Sequence, residues 1–222
     1  MDLIEAMERR HSVRQYESRR LPEEVVREIR AEIASCNQLG NLNVQLVVDE
    51  PRAFDGFLAH YGKFSGVENY IAVVGKKSGD LEERCGYYGQ RVVLRIQQLG
   101  LNTCWVGLTY SKVKGAFLLG AGEKLVALIA LGYGKTQGVP HKSKDVGRVS
   151  SGFDSAPQWF QEGVRAALLA PTSMNQQKFH FSYQEGGVQT RPGMGFNTKL
   201  DLGIAKYHFE LAAGKDNFGW MD

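Results

Sequence analysis

The sequence predicts an α+β fold. Three observations carry this. Apolar residues recur at helical spacing in several stretches, short runs rich in β-branched and aromatic residues stand between them, and one helix–loop–strand unit is written twice.

The first helix covers Leu3 to Arg9, where Leu3, Ile4, Ala6 and Met7 share one face. The loop HSVRQYESRR follows. Pro22 then suits the first turn of a helix, and Glu23 and Glu24 suit its positive end. Val25, Val26, Ile29 and Ile33 form the apolar stripe behind them. CNQLGNLN, rich in Asn and Gly, is expected to end this helix. VQLVVDE and IAVVGKK read as strands. A long helix is expected from Glu82 to Leu99, with Tyr88, Val92, Val93, Ile96 and Leu99 inward and Gly100 as its stop. TCWVGL reads as a short buried strand, and Ser111 to Leu118 as a short helix. LVALIALGYG is apolar throughout and ends in glycines, which predicts a central strand. Lys135 to Gly152 is polar and reads as a loop or linker. Pro157 starts another helix, with Phe160, Val164 and Leu168 on one side. KFHFSYQ alternates Phe179, Phe181 and Tyr183, and Glu185-Gly186-Gly187 turns it into a partner strand. Asp201 to Ala213 is the last helix, closed by Gly214.

The repeat lies between LPEEVVREIRAEIASCNQLGNLNVQLVV and APQWFQEGVRAALLAPTSMNQQKFHFSY, which align without a gap. Pro22 meets Pro157, Arg30 meets Arg165, Ala31 meets Ala166, and Leu46 meets Phe181. Gly89 and Gly100 keep the spacing of Gly203 and Gly214, in the same order along the chain. A duplicated chain can close on itself like a homodimer, with a site at the seam. The expected division is a first lobe over residues 1–150 and a second, degenerate lobe over 151–222.

Composition narrows the class. The chain has 222 residues, 43% hydrophobic and 23% charged, which excludes a wholly disordered, collagenous or coiled-coil protein. A net charge of +3 gives no reason to expect nucleic acid as partner. Cys36, Cys85 and Cys104 are far apart and form no CxxC pair, so free thiols in a reducing compartment are expected, without a zinc site. MDLIEAMERR has no apolar core of a signal peptide, and no run of about 18 apolar residues occurs. The expectation is a cytoplasmic protein with no membrane partner.

Four segments can carry chemistry. RRHSVR offers Arg10 and Arg14 as forked donors for phosphate oxygens, with Ser12 and His11 as further donors; alone, such a run reads as a solvated basic face. HKSKD places Lys142 and Lys144 two apart, on the same side if extended. APTSMNQQ clusters Pro171, Thr172, Ser173 and Asn175 in a turn-prone loop that can lie flat against a planar ring. In TCWVG the glycine allows a ligand to approach the backbone, while Cys104 reads as a small buried hydrophobe. No GxSxG, Walker A or HExxH pattern occurs, and no two of the five histidines are spaced as metal ligands.

Together these segments resemble the FMN-dependent nitroreductase family. RRHSVRQY followed by LPEEVVREI resembles the family's opening. QQLGLNTCWVGL resembles its long-helix-to-strand segment, LVALIALGYG with HKSK its last core strand and basic tail, and APTSMNQQKFHF its A-P-S-x-x-N-x-Q-P-W loop. The order departs from the family. That loop belongs soon after the arginine motif, where this chain has the degraded ASCNQLGNLNVQ. A fused, single-chain pseudo-dimer would explain the exchange.

The resemblance implies an α/β/α sandwich with a mixed, mostly antiparallel sheet flanked by helices and an internal pseudo-twofold. It implies one FMN per chain and NAD(P)H as co-substrate, with hydride passing through flavin N5 to a nitroaromatic, quinone or similar small acceptor. Arg10, His11, Ser12 and Arg14 would bind the phosphate and ribityl end, and Lys142 and Lys144 would add phosphate contacts. Pro171, Thr172, Ser173 and Asn175 would pack on the isoalloxazine. The backbone around Val106 and Gly107 would face N5. No side chain need act as nucleophile or metal ligand; Lys63 is the candidate cation near N1 and O2. Gln176, Gln177 and Lys178 replace the family's Q-P-W, which leaves the substrate pocket's shape open. A non-catalytic FMN store or sensor, or a reductive dehalogenase or dehydrogenase on the same fold, are the alternatives. The chain is expected to act as a monomer, with further dimerisation left open.

Overall fold

The computed structural model describes residues 1–221. Helix α1 (Leu3–Arg9) is capped by Asp2, whose carboxylate accepts from the Glu5 N–H at 2.8 Å. Helix α2 (Glu23–Gly40) starts after Pro22 but runs on through Cys36–Gly40, where a loop was expected. The reason lies in Asn37. Its side chain does not turn back on its own helix; it exchanges two hydrogen bonds with the backbone of Val44, at 2.7 and 2.9 Å. That couples the last turn of α2 to β1 (Gln45–Val47).

Helix α3 (Phe57–Tyr61), β2 (Asn69–Lys76), α4 (Leu81–Gln98), β3 (Asn102–Val106) and β4 (Glu123–Gly132) follow. Residues 111–118 form no helix. Ser111 donates to the carbonyl of Ala53, and the backbone of Leu118 makes two 2.8 Å bonds with the side chain of Gln45. Backbone groups engaged with neighbours cannot close a helical turn. A short helix α5 (Val146–Val149) and strand β5 (Ser150–Ser151) lead to α6 (Gln158–Ala167). Then come β6 (Phe179–Gln184), β7 (Gly187–Pro192), α7 (Thr198–Ala213) and β8 (Gly219–Met221).

The strands form two four-stranded sheets. The first has the order β1-β2-β4-β3 and is antiparallel throughout, with the apolar β4 inside it as its sequence predicts. The second has the order β5-β6-β7-β8 and is mixed, antiparallel at its central pair and parallel at both edges.

One apolar cluster runs through both sequence halves. It joins Ile29, Ile71, Val92 and Ile96 to Phe160, Phe181 and Phe209, and the rings of Phe181 and Phe209 stack at 4.8 Å. Helices α4 and α7 cross here with their backbones in contact. A Cβ on Gly86 would lie 2.1 Å from the carbonyl oxygen of Leu200 and 2.9 Å from the nitrogen of Ile204. A Cβ on Gly203 would lie 1.9 Å from the oxygen of Glu83 and 2.9 Å from the nitrogen of Tyr87. These contacts are reciprocal: Gly86 answers Gly203, Glu83 answers Leu200, and Tyr87 answers Ile204. The pairing of Gly89 with Gly203 expected from the sequence is therefore three residues out of register. Gly89 instead seats the indole of Trp105.

Candidate functional site

The arginine motif leaves α1 as an extended strip held on both sides. Val13 donates to the carbonyl of Thr103 at 3.0 Å, and Tyr16 and Arg14 bond the backbone of Ser65 at 2.9 and 3.0 Å. Buried Val13 and Tyr16 anchor the strip, and the Tyr16 hydroxyl donates to the Val13 carbonyl at 2.6 Å. Arg10, Ser12 and Arg14 thereby line a concave surface.

Arg10 is the unusual member. It is only 3% exposed, its Nε has no hydrogen-bond partner, and no carboxylate pairs with it among the described residues. Burial lowers its pKa to about 10. Burial, and then the charge of Arg10, hold His11 below the usual histidine value. Arg14 is exposed, with its guanidinium 5.9 Å from the centroid of the Phe64 ring.

Two adjoining cavities meet at this strip. One, of about 300 Å³, sets Arg10, His11, Ser12 and Arg14 opposite His141, Thr172 and Asn175. The other, of about 600 Å³, continues from Ser12 and Arg14 along Cys104–Thr109 and is walled by Pro171–Met174 and the start of α7. They share Ser12, Arg14, Pro171, Thr172 and Met174. Their combined size is that of a cofactor-sized pocket.

The loop after α6 holds a costly backbone. Met174, Asn175 and Gln177 all have positive φ, between 43° and 52°. Two clamps keep it there. Asp201 accepts from the N–H and hydroxyl of Ser173 at 3.0 and 3.2 Å and from the amide of Gln176 at 2.7 Å. The same Gln176 amide donates to the carbonyl of Phe196 at 2.7 Å. On the other side, the buried Gln177 accepts from the Lys144 N–H and donates to the Lys142 carbonyl, both at 2.8 Å. Gln176 and Gln177 are thus what fix the loop. Burial raises the pKa of Asp201, against the hydrogen bonds from Gln176 and Ser173.

The expected residues divide into those brought together and those not. Arg10, His11, Ser12, Arg14, Val106, Gly107, Pro171, Thr172, Ser173 and Asn175 all line one or both cavities. Lys142 and Lys144 do not; they line a separate surface groove with Asp145 and Arg148. The Lys144 ammonium donates to the carbonyls of Gln176 and Gln177 at 2.6 and 3.2 Å, which fixes the loop from outside. Lys63 is exposed and absent from the cavity wall, although Gly62 and Phe64 are part of it. Phe64 takes the inward position by packing on Phe54, 5.2 Å between centroids, and Lys63 occupies a left-handed turn at φ 62°.

Sequence reasoning missed Asp201, Asn197 and His141. An acid in the first turn of a helix reads as a partner of the helix dipole, and nothing in its spacing announces the loop it holds. His208 is wholly buried and hydrogen-bonded. The Trp105 indole donates to Gln90 at 3.0 Å, Gln90 donates to His208 Nε2 at 2.8 Å, and His208 Nδ1 donates to the Ala166 carbonyl at 3.2 Å. Burial pushes its pKa down to about 3, so the ring is neutral and its roles in this chain are consistent. Cys104 is buried in the cavity wall, and all three cysteines are free. Among the described residues no cluster of metal-ligating side chains occurs, and no helix is long and apolar enough to cross a membrane.

Comparison with known proteins bears on this arrangement. A protein-family model described as "Putative TM nitroreductase" matches residues 2–213. A crystal structure of a "putative nitroreductase" from Thermotoga maritima MSB8 is 22% identical, with a TM-score of 0.69 over 97% of this chain and 85% of that one. A "putative nitroreductase in complex with FMN" from Desulfovibrio desulfuricans is 21% identical, with a TM-score of 0.53 over 67% of this chain and 95% of that one. Both show the fold. No curated protein matches the chain.

Proposed function

The chain belongs to this nitroreductase family, and from that premise we propose that it is an FMN-dependent oxidoreductase that takes hydride from NAD(P)H and reduces a small acceptor such as a nitroaromatic or quinone. The observation that carries the reading is Arg10. A buried guanidinium without a counter-ion is costly unless an anion completes it. It faces a cavity that already offers a second arginine, a hydroxyl and an imidazole. That donor set suits a phosphate monoester. The structural relative from Desulfovibrio desulfuricans is one with FMN.

In this reading Arg10, His11, Ser12 and Arg14 hold the phosphate and ribityl end. Pro171, Thr172, Ser173 and Asn175 lie along the isoalloxazine, and the backbone at Val106 and Gly107 faces N5. Bound FMN supplies the hydride chemistry. The chain's own part is binding and exclusion of water: the 600 Å³ cavity is walled by Val106, Leu108, Phe64 and Ile204. Asp201 keeps the loop seated.

The chain also reads as a pseudo-dimer with one flavin, its lobes spanning residues 1–150 and 151–222. The reciprocal contact of Gly86 and Gly203 supports this. The same register sets Arg84 where the second half has Asp201. Arg84 donates to the carbonyls of Gly40 and Asn41 at 2.5 and 3.2 Å, so the related segment is held by the opposite polarity. Tyr88 packs its ring on Gly40 there, and the second half has no arginine motif of its own.

The test is an absorbance spectrum of purified protein with the released cofactor identified and counted, followed by anaerobic stopped-flow mixing with NADH and NADPH. One FMN per chain and bleaching by either nucleotide are expected. Protein that binds no FMN refutes the assignment. Bound FMN that neither nucleotide reduces leaves the storage or sensor role instead.

A further inference from the structure

Beyond Ser12 and Arg14, the polar groups that line the 600 Å³ cavity are nearly all engaged. Asp201 is held by Ser173 and Gln176, the Thr172 hydroxyl accepts from the Gln177 N–H at 3.0 Å, and the Trp105 N–H donates to Gln90. The Thr109 hydroxyl packs against Gly62, within 2.7 Å of where a Cβ would stand. Asn197 is different. It occupies the N-cap position of α7 with φ 57°, yet its side chain makes no capping bond, and no other described residue bonds its carboxamide. Its Nδ2 instead lies over Gly107, 2.8 Å from where a Cβ would stand. A residue able to cap a helix has been left facing a cavity, beside Gly107 of its wall.

We propose that Asn197 recognises the carboxamide of the nicotinamide hydride donor. The proposal rests on the oxidoreductase reading above, in which Gly107 faces flavin N5. A primary carboxamide offers an acceptor and donors in one plane, and its complement is another primary carboxamide, with one N–H···O bond in each direction. A nitro group or quinone offers acceptors alone and matches only half of Asn197. Position agrees with chemistry. The hydride leaves C4 of the dihydronicotinamide, and the carboxamide is on the adjacent carbon, C3. A group beside Gly107 is therefore one substituent away from the reacting carbon. Holding the carboxamide there fixes which ring atom meets N5.

The experiment uses the full FMN-loaded chain and two variants. Asn197→Gly removes the carboxamide and keeps the left-handed backbone without strain. Asn197→Asp keeps the shape and the conformation but removes the N–H donors. Flavin reduction is followed by stopped flow with the preferred nucleotide and with its reduced 3-acetylpyridine analogue, which carries a methyl ketone in place of the carboxamide. Wild type should bind the natural nucleotide about 10-fold more tightly than the analogue, the worth of about one hydrogen bond. Asn197→Gly should lose that preference and bind the natural nucleotide about 10-fold more weakly, whereas Asn197→Asp, whose carboxylate still accepts from the nucleotide's N–H but donates nothing to its carbonyl, should bind both nucleotides more weakly and keep the preference. Their FMN content, and the rate at which 1,4-benzoquinone reoxidises the reduced flavin, should stay within about twofold of wild type. A glycine variant that keeps the wild-type preference overturns the proposal, as does an aspartate variant that loses it or an equal loss in the quinone reaction. Loss of FMN from both variants overturns it too, since Asn197 would then belong to the cofactor's site. If neither nucleotide reduces the wild type, the oxidoreductase reading itself fails.

Discussion

Replacing Arg10 with methionine should move stability and cofactor binding in opposite directions. Arg10 is 3% exposed and unpaired, and burial lowers its pKa from the ordinary value of about 12.5 to about 10. At neutral pH the group is charged in both folded and unfolded chains. The folded state therefore carries the whole penalty, and only a rise of pH through about 10 relieves it. At about 1.36 kcal/mol for each tenfold change in proton affinity, that penalty is about 3 kcal/mol. Methionine fills most of the arginine stem, and such a swap costs less than about 1.5 kcal/mol. The cofactor-free variant should thus gain about 2 kcal/mol and melt about 4–8 °C higher, given the usual sensitivity of chains of this length. Loss of a charge-assisted phosphate contact should weaken FMN binding about 100-fold, equivalent to about 3 kcal/mol. Thermal unfolding of deflavinated protein by circular dichroism reads the first effect, and titration of flavin fluorescence reads the second. A cofactor-free variant that melts below wild type, or FMN affinity that does not change, refutes the reasoning.

Other perturbations test other parts. Gly203→Ala puts a methyl 1.9 Å from the Glu83 carbonyl and should destabilise the chain by about 3 kcal/mol, measured by urea unfolding, with Gly86→Ala behaving alike. Asp201→Asn sets a donor against the Gln176 amide and should weaken FMN binding about tenfold by fluorescence titration, with little change in the folded circular dichroism spectrum. His208 has its pKa lowered to about 3, so it loses stability for the fold as pH falls below about 6.5, where the unfolded chain takes up a proton and the folded chain does not. Between pH 6.5 and 4 that is about 3 kcal/mol, and His208→Gln, which cannot titrate, should show an acid limb flatter by about this amount in urea unfolding at stepped pH.

Much of this fold is legible in the sequence because its elements are patterned locally. Pro22 and Pro157 do precede helices, the LVALIALGYG run is an inner strand, and the Phe179–Phe181 alternation is a strand. What is misread depends on partners distant in sequence. Asn37 looks like a helix breaker until Val44 accepts its side chain, and residues 111–118 look helical until Gln45 and Ala53 engage their backbone. The site shows the same division. The arginine strip and the 171–175 loop announce themselves by composition. Lys63 and Lys142 stand out in the sequence by charge, and charge says nothing about which way a turn directs a side chain. Asp201 and Asn197 became visible only when the fold set α7 against β3 and the loop.

The crossing of α4 and α7 has a consequence for the order in which the molecule is built. The cavity needs Arg10 from one end of the described residues and Asp201 from the other. Neither wall can form from local contacts, and closing so long a loop is slow compared with making a helix. The cavity therefore exists only where α7 has seated its glycine on Glu83. A chain in which these two helices have not met has no pocket to offer a ligand.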